Sequence, residues 1–404
     1  MTDARAARDA TAGKAGEATV WSSADRIPAL DGLRGVAILL VILFHHTLMR
    51  QATAFDAAYV NVARLGWSGV DLFFVLSGFL ITGLLVDSKG EPHYFRTFYI
   101  RRALRILPLY LLFVFFVLHV SPRLWPDTTV AQMGREAMAG RSEVWYWLLA
   151  PNILFAREET LGHPNLAVTW SLGIEEQFYL LWPFVVALLD RRRLMWTCAG
   201  LILIAPAVRT MLVFDGAAPV VPYVLPFCRM DALAAGAWVA LAFRWPPAEA
   251  ARVRVWARTV LPIAAAGVFA IWYFEDPLDN ADWAEPLMQT AGYTAIALCF
   301  AALLALTAVA PAGSVLARVL TTSPLRMFGK YSYALYLFHV PIRRYVRDAY
   351  FPVDSFPTWF DSPLPGQILF YIVATAPALV LAWASWHVLE APVLRLRRWF
   401  PYAR

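Results

Sequence analysis

From Pro28 onward the chain alternates apolar blocks of about 20 residues with short polar or basic stretches. At a rise of about 1.5 Å per residue, such a block is long enough for a helix to cross a bilayer. The pattern predicts ten helical spans, at 30–50, 67–86, 103–120, 168–189, 194–214, 222–243, 258–275, 286–309, 328–346 and 366–389. Residues 1–26 are rich in Ala, Thr and charge, lack the apolar core of a signal peptide, and are expected to form a disordered cytoplasmic tail. Between the third and fourth spans lies a long connection, residues 121–167. Its apolar stretch at 144–155 is too short to cross and reads as interfacial or re-entrant. No internal repeat is evident, which counts against inverted-repeat transporter folds.

Composition supports this pattern. The chain has 404 residues, of which 60% are hydrophobic and only 16% charged, against about 25% charged in soluble domains. The fold class is therefore all-α: a polytopic helical membrane protein with about ten transmembrane helices. The net charge of +6 is read as loop charge on the cytoplasmic face and not as a nucleic-acid surface. With the N-terminus inside, 24 of the 35 Lys and Arg residues fall on the cytoplasmic side. Both termini are then cytoplasmic, as an even number of spans requires, and the membrane is the cytoplasmic (inner) one. Cys198, Cys228 and Cys299 lie in apolar segments without metal-ligand spacing, so no metal site is expected.

The first span contains the costliest residues. Arg34 stands near its start, with His45 and His46 well inside, and a charged Arg at a helix centre costs at least about 2.5 kcal/mol. Eleven residues make about three turns, so Arg34 and His45 share one face about 16 Å apart along the axis. His46 points about 100° away and is read as structural. Other spans add further polar groups: Asp71 near the outer end of the second, with Ser77 at mid-membrane. Glu175 and Glu176 lie several residues in from the outer face of the fourth span, and His339 lies midway along the ninth. Arg102 and Arg105, three residues apart on one helical face, stand at the cytoplasmic mouth of the third span. Glu390, beside the C-terminal arginines, is read as structural.

Four stretches carry a resemblance. LDGLRG at 30–35 opens the Arg34-x10-His45 spacing, followed by SGFLI at 77–81, RRALRILP at 101–108 and WSLGIEEQFYLLWP at 170–183. In this order they resemble the acyltransferase 3 family of integral-membrane O-acyltransferases, over about residues 27–392. The resemblance implies a ten-helix membrane domain that takes an acyl group, usually acetyl, from cytoplasmic acyl-CoA. That donor is a substrate, and no permanently bound cofactor is implied. Arg34 and His45 match the family's essential Arg-x10-His pair, and Arg102 and Arg105 its Arg-x-x-Arg pair. The expected organisation is a membrane domain at 27–392 and a basic cytoplasmic tail at 393–404. Some relatives carry a fused SGNH esterase-like domain. Here either a separate SGNH-type periplasmic partner completes the transfer or the membrane domain reaches its acceptor alone.

The chemistry of the residues agrees with that reading. Acylation of a sugar hydroxyl needs a base for its proton and charge stabilisation for the oxyanion that forms. His45 serves as that base, or carries the acyl group covalently. Arg102 and Arg105 suit the phosphates of coenzyme A. Asp71, Glu175, Glu176 and His339 are candidates for binding a carbohydrate or glycolipid acceptor. Modification of macrolide antibiotics and flipping of lipid-linked sugars remain as alternatives, since polar groups at mid-membrane also suit a translocation path.

Overall fold

In a computed structural model describing residues 27–244, 247–275, 282–311, 313–352 and 356–402, ten long helices stand at the positions of the ten expected spans. They are α1 (Pro28–His46), α2 (Gly69–Asp87), α3 (Tyr94–Phe115), α4 (Thr169–Leu188) and α5 (Arg191–Phe214). The second half contributes α6 (Pro226–Ala242), α7 (Pro247–Phe274), α8 (Tyr293–Ala308), α9 (Ser323–Tyr350) and α10 (Leu364–Ser385). Among the described residues there is no strand, and eight helical stretches are long and apolar enough to cross a membrane. The chain is a polytopic helical membrane protein. Helices α4 and α9 fall outside those eight because their apolar runs are interrupted, by Glu175 and Glu176 in one and by Lys330, Arg343, Arg344 and Arg347 in the other. The expected tail at 1–26 lies outside the described residues.

Burial separates centre from periphery. Helix α2 buries Leu72, Phe74, Val75, Leu76 and Phe79, and α6 buries nearly all of its length. Helices α5, α7 and α10 instead expose apolar side chains such as Trp196, Leu203, Ile263, Phe269, Ile372 and Val380. In a bilayer, where lipid tails are as apolar as these side chains, that exposure carries no penalty. Two buried ion pairs tie the centre together: Asp71 to Arg229 at 2.7 Å and Asp231 to Arg209 at 2.9 Å. The Arg229 guanidinium lies 4.1 Å from the centre of the Tyr293 ring.

Among the described residues the 121–168 connection contains four short helices, Ser121–Leu124, Thr129–Met138, Val144–Trp147 and Pro151–Glu158, none long enough to cross. Asn152 and Gln177 exchange side-chain hydrogen bonds of 2.9 and 3.2 Å, which fasten the last of these helices to α4. At the other terminus the residues expected as a basic tail are folded as far as the description reaches. Arg101 donates to the carbonyls of Arg397 and Phe400, and Arg397 donates back to that of Arg101 at 2.9 Å.

The α1/α9 contact positions the site, and glycine makes it possible. A Cβ on Gly329 would sit 1.7 Å from the carbonyl oxygen of Asp31, and one on Gly35 would sit 2.0 Å from that of Leu325. Small residues allow this approach of two backbones in a membrane. Gly329→Val is therefore expected to wedge α9 off α1, at a cost of about 1–3 kcal/mol typical of overpacking. A lowered midpoint of thermal unfolding in detergent, with reduced activity in the surviving fold, checks this expectation.

Candidate active site

A cavity of about 110 Å³ opens between α1, α2, α3, α4 and α9. Arg34, Arg102 and Arg105 project into it together with Ser77, Glu175, Tyr179, Tyr333 and Tyr336. Two helices, α1 and α3, thus converge three guanidiniums on one space. Arg105 is held by Glu390 at 3.3 Å and lies 5.4 Å from the centre of the Trp386 ring. Both partners come from the π-helical turn Trp386–Glu390 that extends α10, a widened turn of the kind often found at functional sites. Arg34 and Arg102 make no ion pair or hydrogen bond among the described residues. The Arg102 guanidinium instead lies 5.8 Å from the centre of the Tyr179 ring.

Glu175 is the carboxylate lining this cavity. It accepts from Ser77 Oγ at 2.7 Å and from the Tyr179 hydroxyl at 3.4 Å. Glu175, expected several residues in from the outer face, lines the same cavity as Arg34, which was expected near the cytoplasmic start of the first span. Residue spacing counts Cα depth, whereas a long guanidinium carries its charge well along the bilayer from its own Cα. Arg102 and Arg105 stand near the middle of α3, which begins at Tyr94, ahead of the expected span start at 103. Glu176 does not line the cavity, and its Oε1 is buried without a hydrogen-bond partner.

His45 lies at the far end of α1, outside the cavity lining. Its Nδ1 is 3.0 Å from the carbonyl oxygen of Val41 and 3.3 Å from Nε2 of His339. His339 Nδ1 is 3.1 Å from the carbonyl oxygen of Leu335. Carbonyls only accept, which assigns the protons in the neutral pair. His339 donates from Nδ1 and presents a bare Nε2, and His45 donates from Nδ1 to that nitrogen and to Val41. The Nε2 of His45 keeps its lone pair and is the nitrogen able to take a proton. Arg343, one turn beyond His339, donates to the carbonyl of His45. Tyr336, one turn before it, lines the cavity, with its ring 5.7 Å from that of His339. The hydroxyl of Tyr336 bonds Ser171 Oγ at 2.7 Å and the carbonyl oxygen of Val168 at 3.0 Å. Tyr336 thus stands between the arginine cavity and the histidine pair.

The remaining candidates sit elsewhere. His46 is fully buried, 3.4 Å from Thr375 Oγ1, while Gln367 donates to its carbonyl at 2.8 Å. Asp71 does not line the cavity, being fully buried against Arg229, so the structure gives it a helix-joining ion pair where substrate contact was expected. Arg209 and Arg229 pair with Asp231 and Asp71 and leave the two glutamates without them. Arg343, Tyr336 and Tyr179 were missed. For Arg343 the signal was present: an arginine four residues after His339 shares its helix face.

Beneath Arg344, the 121–168 connection holds His163 nearly fully buried. Asn165 donates its backbone N–H to His163 Nδ1 at 3.2 Å. Burial, with the Arg344 charge adding to it, pushes the imidazole down to about 4. The native state therefore refuses a proton that the unfolded chain binds near 6.5, so stability falls as pH drops from about 6.5 towards 4 and is flat above. Protease cleavage of the connection should accelerate over that window, and His163→Asn should flatten the response.

A family model described as an acyltransferase domain matches residues 27–387. A peptidoglycan O-acetyltransferase of Listeria monocytogenes is 30% identical over 325 residues, 78% of this chain and 49% of the relative. An O-acetyltransferase of Staphylococcus aureus is 29% identical over 386 residues, 91% of this chain and 57% of the relative. The chain spans about half the length of these relatives. No solved structure matches it.

Proposed function

The chain belongs to the acyltransferase-domain family, and from that premise we propose that it is a membrane O-acyltransferase acting on a cell-envelope carbohydrate. The acyl group, acetyl by analogy with the names of its relatives, comes from acyl-CoA. One observation carries the reading: a cavity with two guanidiniums unpaired among the described residues lies at one end of α1, and an imidazole with a bare Nε2 at the other. The phosphates of coenzyme A suit Arg34, Arg102 and Arg105, because arginine forms paired charge-assisted hydrogen bonds to phosphate oxygens. The arginine cavity would face the cytoplasm, in keeping with the bias of 24 of 35 basic residues to that side.

About 16 Å separates Arg34 from His45, so both cannot contact one carbonyl. The pantetheine arm would span the interval past Tyr336 and bring the thioester to the histidine pair. His45 Nε2 then removes the proton of an acceptor hydroxyl as its oxygen attacks the thioester carbon. The resulting tetrahedral oxyanion collapses by breaking the C–S bond. The coenzyme A thiolate leaves and recovers the proton from His45, so atoms and charges balance. His339 keeps His45 in the productive tautomer and shares the positive charge of the transient imidazolium.

Purified protein in vesicles, supplied with labelled acetyl-CoA and cell-envelope oligosaccharide, tests this function. The expected product is a base-labile labelled ester on the sugar, formed only with protein. Movement of lipid-linked sugar without acyl-CoA, and no ester, would identify a flippase instead.

A further inference from the structure

Three of the eleven basic residues on the side opposite the arginine cavity stand within five positions of α9, namely Arg343, Arg344 and Arg347. A run of cations on that side goes against the charge bias of the chain. Among the described residues the charge is largely uncompensated. Asp348, bonded to Arg347 at 2.6 Å, is the one carboxylate facing Arg343 and Arg344 among the described residues, while Arg347 adds a like charge. The Nε atoms of Arg343 and Arg344 are buried and have no hydrogen-bond partner. An interfacial anchor extends its head to water and is not left with such orphaned donors. One of these cations adjoins the base, since Arg343 donates to the backbone carbonyl of His45.

We propose that Arg343, Arg344 and Arg347 form a second anion-binding site, which holds a carboxylate or phosphate of the acceptor beside His45. The bundle would then hold an anionic substrate at each end of α1, with the donor's phosphates at Arg34 and Arg102 and the acceptor's acidic group at the α9 arginines. The acceptor is accordingly an acidic glycan, and its charge sets the register of the hydroxyl that His45 deprotonates. This inference rests on the reading of His45 as the base acting on the acceptor.

Binding measured apart from turnover tests it. Wild type and an Arg344→Gln/Arg347→Gln variant, in nanodiscs of zwitterionic lipid, are titrated with three probes. These are a disaccharide containing N-acetylmuramic acid, its neutral methyl ester, and N-acetylglucosamine 1-phosphate. Wild type is expected to bind at least one acidic probe about tenfold or more tightly than the ester, and the variant to lose that preference. Whether the carboxylate or the phosphate shows it identifies the natural group. Arg344→Lys/Arg347→Lys should restore part of the preference, and unchanged acyl-CoA binding in all variants certifies the fold. Equal binding of all probes by wild type, or a preference that survives in the glutamine variant, overturns the proposal. If acidic probes bind through these arginines but no ester ever forms, the site stands and the acyltransferase reading fails.

Discussion

His45→Gln is expected to cut the rate of acyl transfer by about 10²–10⁴-fold, the range associated with removing a general base. Glutamine keeps a side chain of similar reach with a polar tip, but it cannot take a proton at neutral pH. The neighbouring His46→Gln serves as the control. His46 is buried with its Nδ1 3.4 Å from Thr375 Oγ1 and takes no part in the His45–His339 hydrogen bond, so its replacement should change the rate far less. Initial rates of ester formation in membranes matched for protein content check both outcomes. If the two variants lost activity equally, the fall would reflect damage to the α1 terminus and not loss of a base.

Arg102→Gln/Arg105→Gln is expected to raise the KM for acyl-CoA by about 10²-fold or more, with the acceptor KM nearly unchanged. Each charge-assisted hydrogen bond lost contributes about 1.5–3 kcal/mol, and each 1.4 kcal/mol is a factor of ten. The two positions should differ when replaced singly. Arg102 has no carboxylate partner among the described residues, so its full charge is available to a phosphate. Arg105 is shared with Glu390, and Arg105→Gln also strands a buried carboxylate. Arg105→Gln should therefore lower the unfolding midpoint as well, by the mechanism that makes broken buried pairs costly. Steady-state kinetics with each substrate varied in turn separate these effects. A rise confined to the acceptor KM would move the donor away from this cavity.

The helices were legible because a bilayer imposes one rule on all of them, a continuous apolar block of fixed length. Even α4 and α9 were recognisable despite their charges, since those charges interrupt otherwise apolar runs. The register of Arg34 with His45 followed from helix periodicity alone. Contacts between helices were less legible. His45 and His339 were each expected inside the membrane, but their 3.3 Å contact depends on how closely α1 and α9 approach at Gly35 and Gly329. Asp71 looked like a substrate ligand until Arg229, 158 positions later, was seen to claim it. That Glu175 shares a cavity with Arg34 was not legible, because spacing locates a backbone and not the tip of a long side chain.

The account rests on a separation of roles, with donor held at the arginine cavity and proton transfer performed at the histidine pair. Equilibrium binding of a non-hydrolysable acyl-CoA thioether to purified wild type, His45→Gln and Arg102→Gln/Arg105→Gln tests that separation most directly. The predicted result is wild-type affinity in His45→Gln, despite its lost turnover, and affinity weakened about 10²-fold or more in the arginine variant. Weakened binding in His45→Gln together with unchanged binding in the arginine variant would contradict it.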